Sequence, residues 1–247
     1  MSGHSKWANI KNRKASVDKK RGKLFSKLSK IITVATKEKG GDIQMNPRLR
    51  TAIETANAAN MPQDNIEKAV KKGTGELEGA ILEEFTYEAY GPGNSAIIIE
   101  GITDNKNRMV AEIKHLLDQY KGKFANPGNV LWMFEKIGKI VMDNFENNEI
   151  LELIAIDAGA EDIKKEDGKI MIFTKPENLY ELKKSLEENT ALKNIHVESA
   201  DIAWQPKATI EIIDEKTKNS LENLLEALDE HDDVQNVFTN ATLNFKF

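Results

Sequence analysis

Between residues 137 and 204 the chain spells out an order of elements that few folds can use. IGKIVMD reads as a strand, NNEILELIAIDAG as a helix, and AEDIKKE and GKIMIFT as two strands. PENLYELKKSLEE then reads as a helix and NIHVESADIAW as a last strand. Strand-helix-strand-strand-helix-strand is the ferredoxin-like order. The sequence on either side of this unit is incomplete. EEFTYEAY and SAIIIEGI flank Gly91-Pro92-Gly93-Asn94, the pattern of two paired strands and their turn. A helix capped by Asp104 follows, carrying Met109, Val110, Ile113, Leu116 and Leu117. Beyond Pro206 come ATIEIID, a helix with Leu221, Leu224, Leu225 and Leu228, and the strand DDVQNVFTNATLNF, none with a sheet partner nearby. They are expected to complete the sheet begun at residue 81, which makes the ferredoxin-like unit an insertion in a split domain.

The first 78 residues follow a helical period instead. Residues 1–15 read as an arm, and a helix is expected from Ser16 to Lys39, stopped by Gly40-Gly41. Leu24, Leu28, Ile31, Ile32 and Ala35 fall on one face of it, beside an arc of Lys20, Lys23, Lys27, Lys30 and Lys37. Asn46-Pro47 reads as the cap and first residue of a second helix. A third opens at Pro62 and ends at Lys71-Lys72-Gly73, with Gly73-Thr74-Gly75 and Gly79 as a linker. The expected fold class is therefore α+β in three domains. These are an N-terminal helical bundle with its basic arm (1–78), a split α/β domain (79–133 plus 205–247), and an inserted ferredoxin-like domain (134–204).

Charge divides the chain more sharply than any motif. The whole protein carries −5, yet residues 1–40 hold twelve Lys and Arg against Asp18 and Glu38. Opposed blocks of charge point to a polyanionic partner for one end only. Acidic residues at i±4 are scarce in this segment, so its cations lack neighbours in sequence to neutralise them. A solvated face is the plainer account of such a run, but nucleic acid has the charge density to relieve it. The expected nucleic-acid-binding residues are Lys6, Lys11, Arg13, Lys14, Lys19, Lys20, Arg21, Lys23, Lys27 and Lys30. Arg48, Arg50, Lys71 and Lys72 read equally as groove contacts or as surface charges.

Catalysis finds little support. The chain has no cysteine, which removes thiol chemistry and Cys-ligated metals. Its four histidines show no H-x-x-x-H pair, and no serine sits in G-x-S-x-G. His231 among Asp229, Glu230, Asp232 and Asp233 suggests a weak divalent site, but an imidazole at a helix C-terminus is the preferred account. Trp132-Met133-Phe134 reads as core. No enzyme activity, cofactor, metal or small-molecule substrate is expected. The stretches without charge are too short for a membrane span, which needs about 20 apolar residues. The N-terminus lacks the apolar region of a secretory signal, and its lysine-rich stretch running into an amphipathic helix is unlike a transit peptide.

Taken together, GHSKWANIKNRKASVDKKRGKLFSKL, MNPRLRTAI, ANMPQDNIEKAVKKGTGELEG, YGPGNSAIIIEGITDNKNRMVAEIKH and DDVQNVFTN resemble the YebC/PmpR family. The resemblance spans almost the whole chain and implies three domains, the third ferredoxin-like and inserted into the second. It implies a cytoplasmic DNA-binding regulator of transcription, with relatives that activate mitochondrial translation or assist ribosomes. Two departures stand out. LDQYKGKFANPGNV replaces a Gly-rich segment ending Gly-Ser-Val, with Asn129 in the Ser position, and Asn94 replaces a usual Gly. The function expected is DNA binding through the arm and first helix, with the acidic remainder held away from the polyanion. The alternative is a translation factor gripping rRNA or the ribosome with the same surface, with Trp7 free to stack on an unpaired base.

Overall fold

The computed structural model describes residues 17–143, 148–166, 168–189, 192, 195 and 197–242, without the side chains of 17–20 and 148. They fall in two compact units, one drawn from Met1–Met133 and Pro206–Phe247, the other from Phe134–Gln205.

The first unit begins with three helices, α1 (Val17–Lys39), α2 (Pro47–Ala58) and α3 (Gln63–Thr74). Their core is Leu28, Ile32, Ala35, Leu49, Ala52, Ala56, Met61, Ile66 and Ala69. Leu24, expected on the buried face of α1, is exposed, because the packed face starts a turn later at Leu28. Asn46 caps α2 as its sequence suggests: its Oδ1 accepts from Leu49 N at 3.0 Å, while its Nδ2 donates to the Ala35 and Gly40 carbonyls. That second role ties the cap to the end of α1. Gly73 departs from its expected place as a helix end. It lies inside α3, which runs on until Gly75 turns left-handed at φ 83°. A Cβ on Gly73 would stand 2.5 Å from Thr36 Cβ and 2.6 Å from the Thr33 carbonyl, so the two helices cross at this point.

The α/β part holds β1 (Glu83–Gly91), β2 (Ser95–Thr103), α4 (Lys106–Gln119) and β3 (Lys123–Phe124). Strands β1 and β2 pair antiparallel about the Pro92–Asn94 turn. Asn94 sits there at φ 58°, a left-handed conformation that Asn tolerates best after Gly, which accounts for the exchange between them. Asn105 rather than Asp104 caps α4, accepting from Arg108 N at 3.0 Å, while Asp104 takes an Arg108 guanidinium N–H.

The buried carboxylate of Glu88 on β1 accepts the backbone N–H groups of Gly128, Val130 and Leu131, fixing the loop that departs from the family pattern. The indole of Trp132 beside that loop is exposed rather than in the core, with Nε1 donating to the Asn129 carbonyl. Phe134 alone of that aromatic run is deeply buried.

The second unit carries β4 (Phe134–Asp143), α5 (Asn148–Asp157), β5 (Asp162–Glu166), β6 (Lys169–Thr174), α6 (Leu179–Glu188) and β7 (Val197–Pro206). Its sheet order β5-β6-β4-β7 is the ferredoxin-like arrangement. Ile140, Met142, Ile170 and Ile172 face Leu151 and Ala155 of α5 and Leu179, Leu182 and Leu186 of α6.

The chain then returns to the first unit. Lys207 N donates to the Met133 carbonyl, joining the two sides of the break. Next come β8 (Ile210–Glu211), α7 (Glu215–Asp229), β9 (Val234–Thr239) and β10 (Ala241–Thr242). Strand β9 completes the first sheet beside β2, giving the order β3-β1-β2-β9. Strand β8 does not join it, contrary to expectation. It pairs in parallel with β10 as a separate ribbon. Helices α4 and α7 pack Met109, Ile113, Leu117, Leu221, Leu224, Leu225 and Leu228 against Phe85, Ala89, Ile97 and Ile99.

Candidate nucleic-acid interface

The ten expected contact residues divide into three groups. Lys6, Lys11, Arg13 and Lys14 lie outside the described residues, as does Trp7. Lys19 and Lys20 belong to α1, with their side chains outside those described. Arg21 is exposed near the start of α1. Its guanidinium lies 5.3 Å from the Phe25 ring centroid and donates to the Asn60 carbonyl at 3.2 Å.

Lys23, Lys27 and Lys30 form the third group. At i, i+4 and i+7 they share one face of α1, and that face meets the C-terminal end of α7. Lys23 Nζ donates to the Glu230 carbonyl at 2.8 Å, and Lys27 Nζ to the Asp229 carbonyl at 2.6 Å. Lys30 Nζ donates to the Asp232 carbonyl at 2.9 Å and to the Asp233 carboxylate. A helix leaves its last carbonyls without partners, and its dipole gathers negative potential there. The ammonium groups of Lys27 and Lys23 meet both needs at Asp229 and Glu230, and Lys30 binds just beyond the helix end.

Asp233 is the hub of this contact. Its side chain, 9% exposed, accepts from Lys30, from Thr103 Oγ1 at 2.8 Å and from Arg108 at 2.7 Å. Burial favours the neutral acid, but the hydrogen bonds from Lys30, Thr103 and Arg108 outweigh it and hold the carboxyl below the usual carboxylate value. The backbone is equally fixed: Ile102 N donates to the Asp233 carbonyl, and a Cβ on Gly101 would stand 2.1 Å from that oxygen. His231 lies beside it, with Nδ1 accepting from Asp233 N and Nε2 3.0 Å from Glu112 Oε2.

The joining of Asp233 to Lys30, Thr103 and Arg108 was not legible in the sequence. The acidic run at the end of α7 was visible, but its lysine partners lie some two hundred positions away and Arg108 lies 125 away. The Arg48 guanidinium bridges Glu38 and Glu84; burial works against its charged form, but these pairs outweigh it and raise its pKa. Lys71 and Lys72 stand exposed in the last turn of α3. Among the described residues, no group of three or more His, Asp or Glu side chains is placed to hold a metal ion, and no helix is long and apolar enough to cross a membrane.

Comparison with known proteins places this arrangement. Residues 5–76 match the TACO1/YebC protein N-terminal domain, and residues 82–241 match the TACO1/YebC second and third domain. A "probable transcriptional regulatory protein" of Halothermothrix orenii is 50% identical over 244 residues, covering 97% of this chain and 94% of its own. A protein of the same description from Thermotoga maritima is 48% identical over 248 residues, covering 100% of this chain and 96% of its own. The crystal structure of a conserved hypothetical protein from Aquifex aeolicus superposes with a TM-score of 0.87 at 45% identity, covering 97% of this chain and 98% of that one. With both segments matched in order and relatives alike from end to end, the chain belongs to the TACO1/YebC family.

Proposed function

We propose that this protein is a DNA-binding regulator of transcription that holds the phosphate backbone with its N-terminal arm and the start of α1. The observation that carries the proposal is the charge division, +10 over residues 1–40 in a protein of net −5. The description of its relatives as probable transcriptional regulatory proteins supports the same reading. Lys6, Lys11, Arg13, Lys14, Lys19, Lys20 and Arg21 make the first contacts, and Lys23, Lys27 and Lys30 extend the track along α1. Phosphate contacts fix position and orientation without reading bases. The acidic remainder is repelled by the same polyanion, so the protein approaches DNA with its N-terminus leading.

Binding of the full chain to a labelled duplex across a range of salt concentrations tests this. Six to eight phosphate contacts give a slope of log K on log salt of roughly −5 to −7. Replacing Lys6, Lys11, Arg13 and Lys14 together by Ala is expected to reduce that slope by about 3 to 4 and to weaken binding at least tenfold. A slope near zero, or one that the fourfold variant leaves unchanged, overturns the proposal. Stable cosedimentation with ribosomes at physiological salt, alongside weak duplex binding, transfers the same cations to RNA.

A further inference from the structure

We propose that the C-terminal end of α7 is an internal competitor for nucleic acid, so that Lys23, Lys27 and Lys30 are either latched to residues 229–233 or bound to phosphate, never both. This rests on the nucleic-acid reading above and deepens it. The latch offers each ammonium what a phosphate backbone would offer. Carbonyl oxygens of Asp229, Glu230 and Asp232 lie 2.6–2.9 Å from the three Nζ atoms. The Asp233 carboxylate adds an ionised acceptor for Lys30. The Asp229 and Asp233 carboxylates stand against the lysine face, with Glu230 and Asp232 in the same short stretch. A polyanion reaching that face would meet their repulsion well inside a screening length of about 10 Å. It therefore gains the three lysines only by separating α1 from α7.

The packing permits that separation. The core of the helical part and the core of the sheet part share no buried residue among those described. Polar bonds join them among the described residues: here the three lysine contacts and Gln235 Nε2 to the Lys27 carbonyl at 3.5 Å, and elsewhere the Arg48–Glu84 pair. Polar contacts between parts with separate cores are those that part most readily. Free protein keeps its track covered and resists casual anions. A duplex already held by the arm lies close enough to displace the acidic end, so grip by the arm and release of α1 act in sequence.

The absence of native cysteine allows a direct test. In the double variant Lys23→Cys/Glu230→Cys, a cleavable bis-maleimide locks the latch shut, and reduction reopens it within the same molecules. The locked protein is expected to bind duplex DNA at least tenfold more weakly than the cleaved protein, with a shallower salt slope. As a second measure, Asp229→Asn/Asp233→Asn loosens the latch and is expected to tighten DNA binding roughly threefold to tenfold, because each change removes an anionic partner of Lys27 or Lys30. Equal affinity of locked and cleaved protein sinks the competition. If the fourfold arm variant still loses binding in that case, only the latch inference fails. If the arm variant also binds normally, the nucleic-acid reading fails with it.

Discussion

Gly22 and Gly73 are the same letter in two helices, and the structure gives them opposite roles. Gly22 lies in α1 with nothing within 4 Å of the place a Cβ would occupy, whereas at Gly73 that place is crowded by Thr36 Cβ and the Thr33 carbonyl. Gly22→Ala is therefore expected to stabilise by about 0.5–1 kcal/mol through helix propensity alone. Gly73→Ala gains the same propensity but forces α1 and α3 apart at a backbone contact. Overpacking of that kind costs about 1–3 kcal/mol, so a net loss is expected. The buried bond from Thr33 Oγ1 to the Ala69 carbonyl, 3.1 Å long, weakens with it. Urea unfolding of the two variants, monitored by helix signal, checks the opposite signs, and a stabilised Gly73→Ala removes the crossing contact as an explanation. Sequence patterning reads a glycine after Lys71-Lys72 as a helix end because composition there is that of an end. It has no access to the neighbour that makes a side chain impossible. The same limit explains Trp132, whose apolar ring suggested core while its exposed position is set by the Asn129 carbonyl. The cap at Asn46 was legible, since it acts on Leu49 only three residues away, while the cap of α4 fell one residue past the expected Asp104.

Elements whose partners are close in sequence were legible; those that complete a distant edge were legible only in part. The hairpin of β1 and β2 and the ferredoxin-like order follow from local period and turn chemistry. Strand β9 finds β2 across the insertion, but β8 is diverted to β10 because Ile210 N takes the Asn240 carbonyl outside the main sheet. The lysine face of α1 was legible as a face, and its occupant was not, since nothing within four residues of Lys27 announces Asp229. The contact between α1 and α7 has a consequence in acid. Asp233 has a folded pKa below the value of about 3.9 expected unfolded, so its contribution to stability is present above that value. It is lost as pH falls through the folded pKa, when Lys30 and Arg108 face a neutral acid. Asp233→Asn should thus be less stable than the parent at pH 7, with the gap beginning to narrow only as pH falls below about 4. Paired denaturation curves at pH 7, 5 and 3.5 measure this, and a stability gap that does not change with pH contradicts it.

On the scale of the whole molecule, charge and chain path were both legible, and together they allow a separation. Residues 134–205 hold nine basic and sixteen acidic residues, a net −7, and form a compact unit with a core of their own. The path leaves the first unit at Met133 and re-enters by Lys207, whose N–H bonds the Met133 carbonyl at 2.9 Å. A short Gly-Ser bridge can therefore replace the whole insertion without stretching either end. We expect residues 134–205 expressed alone to unfold in one cooperative transition, since none of the buried residues of that core comes from outside the unit. The bridged remainder keeps residues 1–40 and the α1–α7 contact, and it sheds much of the negative charge that opposes a polyanion. Its affinity for duplex DNA at low salt should equal or exceed that of the full chain, and the gain should vanish as salt screens long-range repulsion. Anisotropy titrations of both proteins at two salt concentrations decide the matter. A bridged protein that folds but has lost DNA binding would assign the contact to the insertion and away from the N-terminal cations.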